Sequence, residues 1–171
     1  VTAQPNRIVI AVSKDNYTHD MIQETGRFSL SVLSEQADFD VFKRFGYQSG
    51  RDADKFAGFE GCAARGTDGI YHLTRYANAW LSCKVVSATD LGSHTLFLAD
   101  VLDGGLLSDA PSVTYAYYQQ HIKPAVSPGS ASGKKRWVCK VCGYVYEGDQ
   151  LPEDYICPLC KHPAADFEPL D

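Results

Sequence analysis

Four cysteines toward the C-terminal end have the types and spacing of a metal site. Cys139 and Cys142 stand in Trp137-Val138-Cys139-Lys140-Val141-Cys142-Gly143-Tyr144, and Cys157 and Cys160 in Tyr155-Ile156-Cys157-Pro158-Leu159-Cys160. Two Cys-x-x-Cys turns with 14 residues between them can bring four thiolates onto one tetrahedral ion. Each turn wraps main-chain N–H groups around a sulfur, and Gly143 follows the first pair where such a turn favours positive φ. A tetrahedral S4 site takes zinc or iron, and the ligands alone do not choose. The neighbours lean to iron. Trp137, Tyr144, Tyr146, Tyr155 and Phe167 crowd a segment too short for a conventional core, one that needs a metal as its staple.

Elsewhere the chemistry-bearing residues are scattered. Cys62 and Cys83 lack the helix start or basic neighbours that activate a thiol, and read as buried, idle groups. His94 opens a strand directly after a Gly-Ser turn, at a sheet end. His19 lies near the start of a short helix and reads as exposed or capping, His72 and His121 read as structural, and His162 falls outside the quartet. Gly129-Ser-Ala-Ser-Gly-Lys-Lys is a poor copy of a phosphate loop, with three residues between its glycines and a lysine in place of the final hydroxyl residue. No Gly-x-Gly-x-x-Gly follows a strand, and neither Gly-x-Ser-x-Gly nor His-Glu-x-x-His occurs.

The elements that must position these groups are mostly strands. Residues 7–12 form a β-branched apolar run that predicts a strand buried on both faces, and 28–32 alternate with period two as a half-buried strand does. Residues 19–25 predict a short helix with Asn16 or Thr18 as N-cap and Gly26 as its stop, and 38–45 a second one. Strands follow at 70–73, 80–87 and 94–102, the last two joined by a turn at 90–93 into a hairpin; 115–118 is a final aromatic segment. With no βαβ alternation, a β-barrel or α+β domain over residues 1 to about 123 is expected. Residues 124–136 are rich in Pro, Gly and Ser and read as a flexible linker to a small domain at 137–171.

Composition bounds the function. The 171 residues are 44% hydrophobic and 22% charged, with a net charge of −5, which disfavours a nucleic-acid surface. No run of 18 apolar residues predicts a membrane span, and cysteine pairs kept for metal suit the reducing cytoplasm. The chain begins at Val1 without an initiator methionine and reads as part of something longer.

Two resemblances add to this reading. Residues 135–170 resemble rubredoxin, through Cys-x-x-Cys-Gly-Tyr-x-Tyr, an aromatic two residues before Cys-Pro-x-Cys, and Phe167 seven residues on. The middle loop is short, like that of rubredoxin modules fused to other domains, and Lys161 stands where a second glycine is usual. The resemblance implies one iron held by Cys139, Cys142, Cys157 and Cys160.

Residues 1 to 120 resemble the flavin reductase family. The carriers are Asn-Tyr-Thr-His-Asp-Met-Ile at 16–22, Gly-Arg-Phe-Ser-Leu-Ser-Val-Leu-Ser at 26–34, Asp-Lys-Phe-Ala-Gly at 54–58 and Gly-Ser-His-Thr-Leu-Phe at 92–97. That family implies an FMN-binding split β-barrel with short helices, ordinarily a homodimer, and a further segment before the position of Val1 that touches flavin. It implies flavin and phosphate contacts at Ser13, Lys14, Tyr17 and Thr18, contacts to the flavin tail at Lys55 and Phe56, and a catalytic His94 near the isoalloxazine and nicotinamide. The whole chain resembles the fusions known as high-molecular-weight rubredoxins. The resemblance implies electrons passing from NAD(P)H through FMN to an Fe(Cys)4 centre and on to a partner, commonly a flavodiiron NO/O2 reductase. Two alternatives stay open: a flavoredoxin-like carrier without NAD(P)H activity, and a zinc-stapled interaction module on a flavin-free barrel.

Overall fold

The computed structural model describes residues 1–123, 135–140, 144–158 and 162–170. The chain divides into two compact units, Val1–Lys123 and Pro124–Asp171.

The first unit is built on an antiparallel sheet of five strands: β1 (Thr2–Ala3), β2 (Asn6–Ser13), β3 (Arg27–Leu33), β6 (Ala77–Asp90) and β7 (His94–Leu106), in the order β1-β2-β7-β6-β3. A two-stranded sheet, β4 (Ala63–Arg65) with β5 (Tyr71–Leu73), accompanies it. Two helices, α1 (Tyr17–Thr25) and α2 (Phe39–Gly46), fill the links on either side of β3. The alternation of side chains settles which face is inside. Ile8, Ile10 and Val12 stand opposite Ala99, Phe97 and Thr95, while Phe28 stands opposite Cys83. Apart from Thr95, a buried polar residue, these side chains form the core together with Ile22 of α1. Phe97 is 1% exposed, and burying such a ring is worth about 2–3 kcal/mol. The strand over 7–12 is thus corrected from doubly buried to single-faced: Val9 and Ala11 point outward, because no element of the first unit's described residues covers that side.

The outer face of β3 and β6 is polar, and β4–β5 lies over it. Ser29 Oγ donates to the Tyr71 carbonyl, Ser31 Oγ accepts from the Leu73 N–H at 3.0 Å, and Ser82 Oγ donates to Asp68 Oδ2. His72 stacks on Trp80 with ring centroids 4.1 Å apart. Gly105, the strand partner of Trp80, leaves room for the indole; a Cβ there would come within 3.0 Å of Nε1. A second apolar cluster gathers under α2 around Val41, Leu73 and Ala77, with Phe45, Phe56 and Phe59 packed on it.

Gly26 stops the first helix as its sequence predicts. That helix begins at Tyr17 rather than 19, and Asp38 precedes the second helix instead of opening it. Gly26 caps α1 at φ 64°, its N–H bonded to the Ile22 carbonyl, and Asp38 caps α2 by accepting from the Val41 N–H. The 115–118 segment is helical, Tyr115–Tyr117 running into Tyr118–Ile122. No helix of the described residues is long and apolar enough to cross a membrane.

The second unit has a three-stranded antiparallel sheet, β8 (Lys135–Cys139), β9 (Val145–Gly148) and β10 (Phe167–Leu170), in the order β10-β8-β9. Its core is Cys139, Cys157 and Phe167, wrapped by Trp137, Tyr144, Tyr146, Leu151 and Tyr155. Together the two units make a mainly β protein with short helices.

Candidate functional site

The turn from β2 into α1 and the β6–β7 hairpin turn meet at one end of the large sheet. Ser13 and His94 are register partners, the last of the β2–β7 ladder. The Lys14 N–H donates to the Ser93 carbonyl at 3.0 Å, and its Nζ lies 2.7 Å from Asp90 Oδ1. The Gly92 N–H donates to the same carboxylate oxygen at 2.7 Å. The bond from Lys14, and then the one from Gly92, hold the Asp90 carboxyl below its ordinary range.

His94 is exposed, and its Nδ1 is 2.9 Å from Ser93 Oγ, which leaves Nε2 as the nitrogen open to a ligand. Tyr17 begins α1 and carries the Arg51 guanidinium over its ring at 4.9 Å; Thr18 is exposed beside it. The Asn16 side chain makes no capping bond; the His19 N–H donates to the Asn16 carbonyl at 2.9 Å, and the N–H groups of Tyr17 and Thr18 are the ones that face an anion. Ser13, Lys14, Tyr17, Thr18 and His94 are therefore gathered at one sheet end. A lysine, the hydroxyls of Ser13 and Thr18 and an uncapped helix start are donors suited to an anionic group.

Lys55 and Phe56 are placed differently. Lys55 Nζ donates to the Phe45 carbonyl at the end of α2, and burial lowers its pKa. Phe56 stacks on Tyr71 at 4.5 Å inside the second apolar cluster. Both side chains are engaged in holding α2 to β5, and neither touches the turn at 13–18 among the described contacts. Their loop does reach it through Arg51, which pairs with Asp20.

His19 is a correction. It is neither exposed nor capping: its side chain is 13% exposed, and its Nε2 lies 2.9 Å from the Oγ1 of buried Thr95. Its Nδ1 faces Asp20 at 3.3 Å. Lys14, His19, Gln23, Ala88, Asp90 and Thr95 line an open cleft of about 270 Å3. The signal was the spacing of His19 and Gln23, one helical turn apart on the face that α1 turns to the sheet.

In the second unit Cys139 and Cys157 are 1% and 0% exposed. The Cys139 N–H donates to the Tyr144 carbonyl and the Cys157 N–H to the His162 carbonyl, each at 2.8 Å. Each of these cysteines thus makes the same bond to a residue five positions on. Cys142 and Cys160 lie outside the described residues, and among the described ones no three His, Cys, Asp or Glu side chains cluster. Two buried sulfurs on matching turns inside an aromatic shell fit a thiolate-held ion. Burial, then the Tyr144 hydroxyl bond, pushes the Tyr155 phenol upward, so it stays neutral against this centre.

Cys83, by contrast, is 0% exposed in the main core, and burial followed by the Asp68 charge raises its thiol to about 11. It is inert at neutral pH.

Comparison with known proteins matches residues 1–125 to the flavin reductase like domain and residues 137–168 to the rubrerythrin, rubredoxin-like domain. The high molecular weight rubredoxin of Moorella thermoacetica is 30% identical over 99% of this chain and 85% of its own length. The ferric-chelate reductase (NAD(P)H) of Archaeoglobus fulgidus is 34% identical over 77% of this chain and 76% of its own. Among solved structures, the FMN-binding protein from Thermus thermophilus with bound p-hydroxybenzaldehyde superposes with a TM-score of 0.55. At 24% identity, over 62% of this chain and 58% of that one, it speaks to the fold alone; this chain spans less than two thirds of that structure's length.

Proposed function

The chain belongs to the flavin reductase-like family and carries a rubredoxin-like domain behind it, and on that premise we propose that it oxidises NAD(P)H at FMN and relays the electrons to an iron in four thiolates. Bound flavin takes a hydride as two electrons and releases electrons singly, while thiolate-held iron carries one at a time, so each domain supplies what the other lacks.

The observation that carries the reading is the meeting of Ser13, Lys14, Tyr17, Thr18 and His94 at one sheet end, in a chain that also holds Cys139 and Cys157 in an aromatic shell. Lys14 and the hydroxyls of Ser13 and Thr18 bind the flavin phosphate, aided by the start of α1. His94, its Nδ1 fixed by Ser93, holds a proton at Nε2 beside the reacting rings. Lys55 and Phe56 brace the neighbouring loop toward the flavin tail. Cys139, Cys142, Cys157 and Cys160 hold the iron, and their hydrophobic shell excludes water from it.

In our reading the active form is a homodimer, the external acceptor is a redox protein of the flavodiiron NO/O2 reductase class, and the thiolate site suits the cytoplasm. Anaerobic stopped-flow mixing of the holoprotein with NADH tests the path. Flavin absorbance should fall first and the ferric-thiolate band next. Iron that stays oxidised throughout flavin turnover overturns the relay.

A further inference from the structure

We propose that Asp90 sets how tightly this site holds a phosphorylated flavin, by competing with the phosphate for Lys14. The inference rests on the reading of the 13–18 turn as the phosphate contact.

Asp90 ends β6, and the Gly92 N–H donates to its Oδ1 at 2.7 Å within the hairpin turn. That bond fixes the carboxylate regardless of what Lys14 does. Lys14 reaches across from the other turn and lays its ammonium on the same oxygen, also at 2.7 Å. Both side chains line the 270 Å3 cleft, with His19 and Thr95 as neighbours. The second cation of the region is matched in the same way: Arg51 is paired with Asp20, whose Oδ1 also faces His19 Nδ1.

Each fixed cation around the first turn of α1 therefore already has a carboxylate: Lys14 has Asp90 and Arg51 has Asp20. A phosphate dianion arriving there meets a charge-balanced site rather than a positive one. It must either take the ammonium from Asp90 or share it across a close repulsive contact. The Lys14–Asp90 pair is largely solvent-exposed, at 38% and 70% of the side-chain surfaces, so exchange of partners is cheap and fast. The device holds the phosphate less tightly than an unopposed Lys14 would.

Asp90→Asn isolates charge from position, because the amide oxygen still accepts from Gly92 and from Lys14. The dissociation constants of FMN and of riboflavin, which lacks the phosphate, are measured by flavin fluorescence on the full-length apoprotein. In Asp90→Asn, FMN should bind about fivefold to tenfold more tightly while riboflavin is unchanged. An FMN-to-riboflavin ratio that is unchanged or reduced overturns the inference. Lys14→Gln separates this failure from that of the parent reading. It should bring FMN affinity down toward that of riboflavin. If it leaves the ratio at the wild-type value, the phosphate does not sit at Lys14, and both readings fall. If Lys14→Gln acts as stated and Asp90→Asn does not, only the role of Asp90 is lost.

Discussion

Ser13 and His94 stand opposite each other as the last pair of the β2–β7 ladder, so the end of one strand and the start of another present their side chains at a single place. The turns that follow and precede them are cross-tied by the bond from the Lys14 N–H to Ser93. Position here is enforced by backbone pairing and not by long side chains, which is how a reactive group is kept within the tolerance that chemistry demands.

His94 should therefore matter to rate more than to cofactor binding. His94→Gln is expected to lower kcat/KM for NADH by about 100-fold with FMN affinity retained. Steady-state NADH oxidation beside a flavin titration checks it. A variant that loses flavin and rate together would assign His94 to binding.

Cys157→Ser removes one of the two buried sulfurs among the described residues of the second unit. Iron content should fall from about one per chain toward zero, because a module this small owes its folding to the metal. Metal analysis and the loss of the ferric-thiolate band report it, while reduction of bound flavin by NADH continues at the wild-type rate.

The raised thiol of Cys83 links stability to alkaline pH. Its folded value of about 11 lies above the ordinary 9.0, so the folded state holds the proton more firmly. That contribution is full below pH 9 and is lost as pH climbs to about 11. Thermal melting of wild type should decline more steeply across that window than melting of Cys83→Ala. Parallel slopes for the two proteins would contradict it.

Ser31→Ala deletes the acceptor for the N–H of buried Leu73. An orphaned amide there should cost about 1–3 kcal/mol, seen as a lowered Tm, with FMN affinity untouched. Loss of flavin without loss of Tm would mean that the outer polar layer serves the site.

Much of this was legible from residue types. The glycine stop after α1 and the long hairpin follow from local rules that tertiary packing did not oppose. What local rules miss is partnership across the fold. The strand at 7–12 reads as doubly buried because Val9 and Ala11 are apolar, yet nothing in the sequence says how many layers will cover it. β4 is three residues long, below the length at which a period shows. His19 was misjudged because its partner, Thr95, lies on a strand that arrives far later in the chain. Lys55 and Phe56 carry a motif whose side chains serve α2 and β5, and only packing reveals that.

One strand has a larger consequence. β7 is flanked along Thr95–Asp100 by β2 on one edge and β6 on the other, and its inward Phe97 and Ala99 are 1% and 0% exposed. Its central amides can exchange with solvent only when the whole unit opens. The strand is then the last to come apart, and His94 immediately precedes its most persistent part. Thermal wear of this protein should reach the loop at 49–58 and the edge strand β3 long before it disturbs the geometry of that histidine.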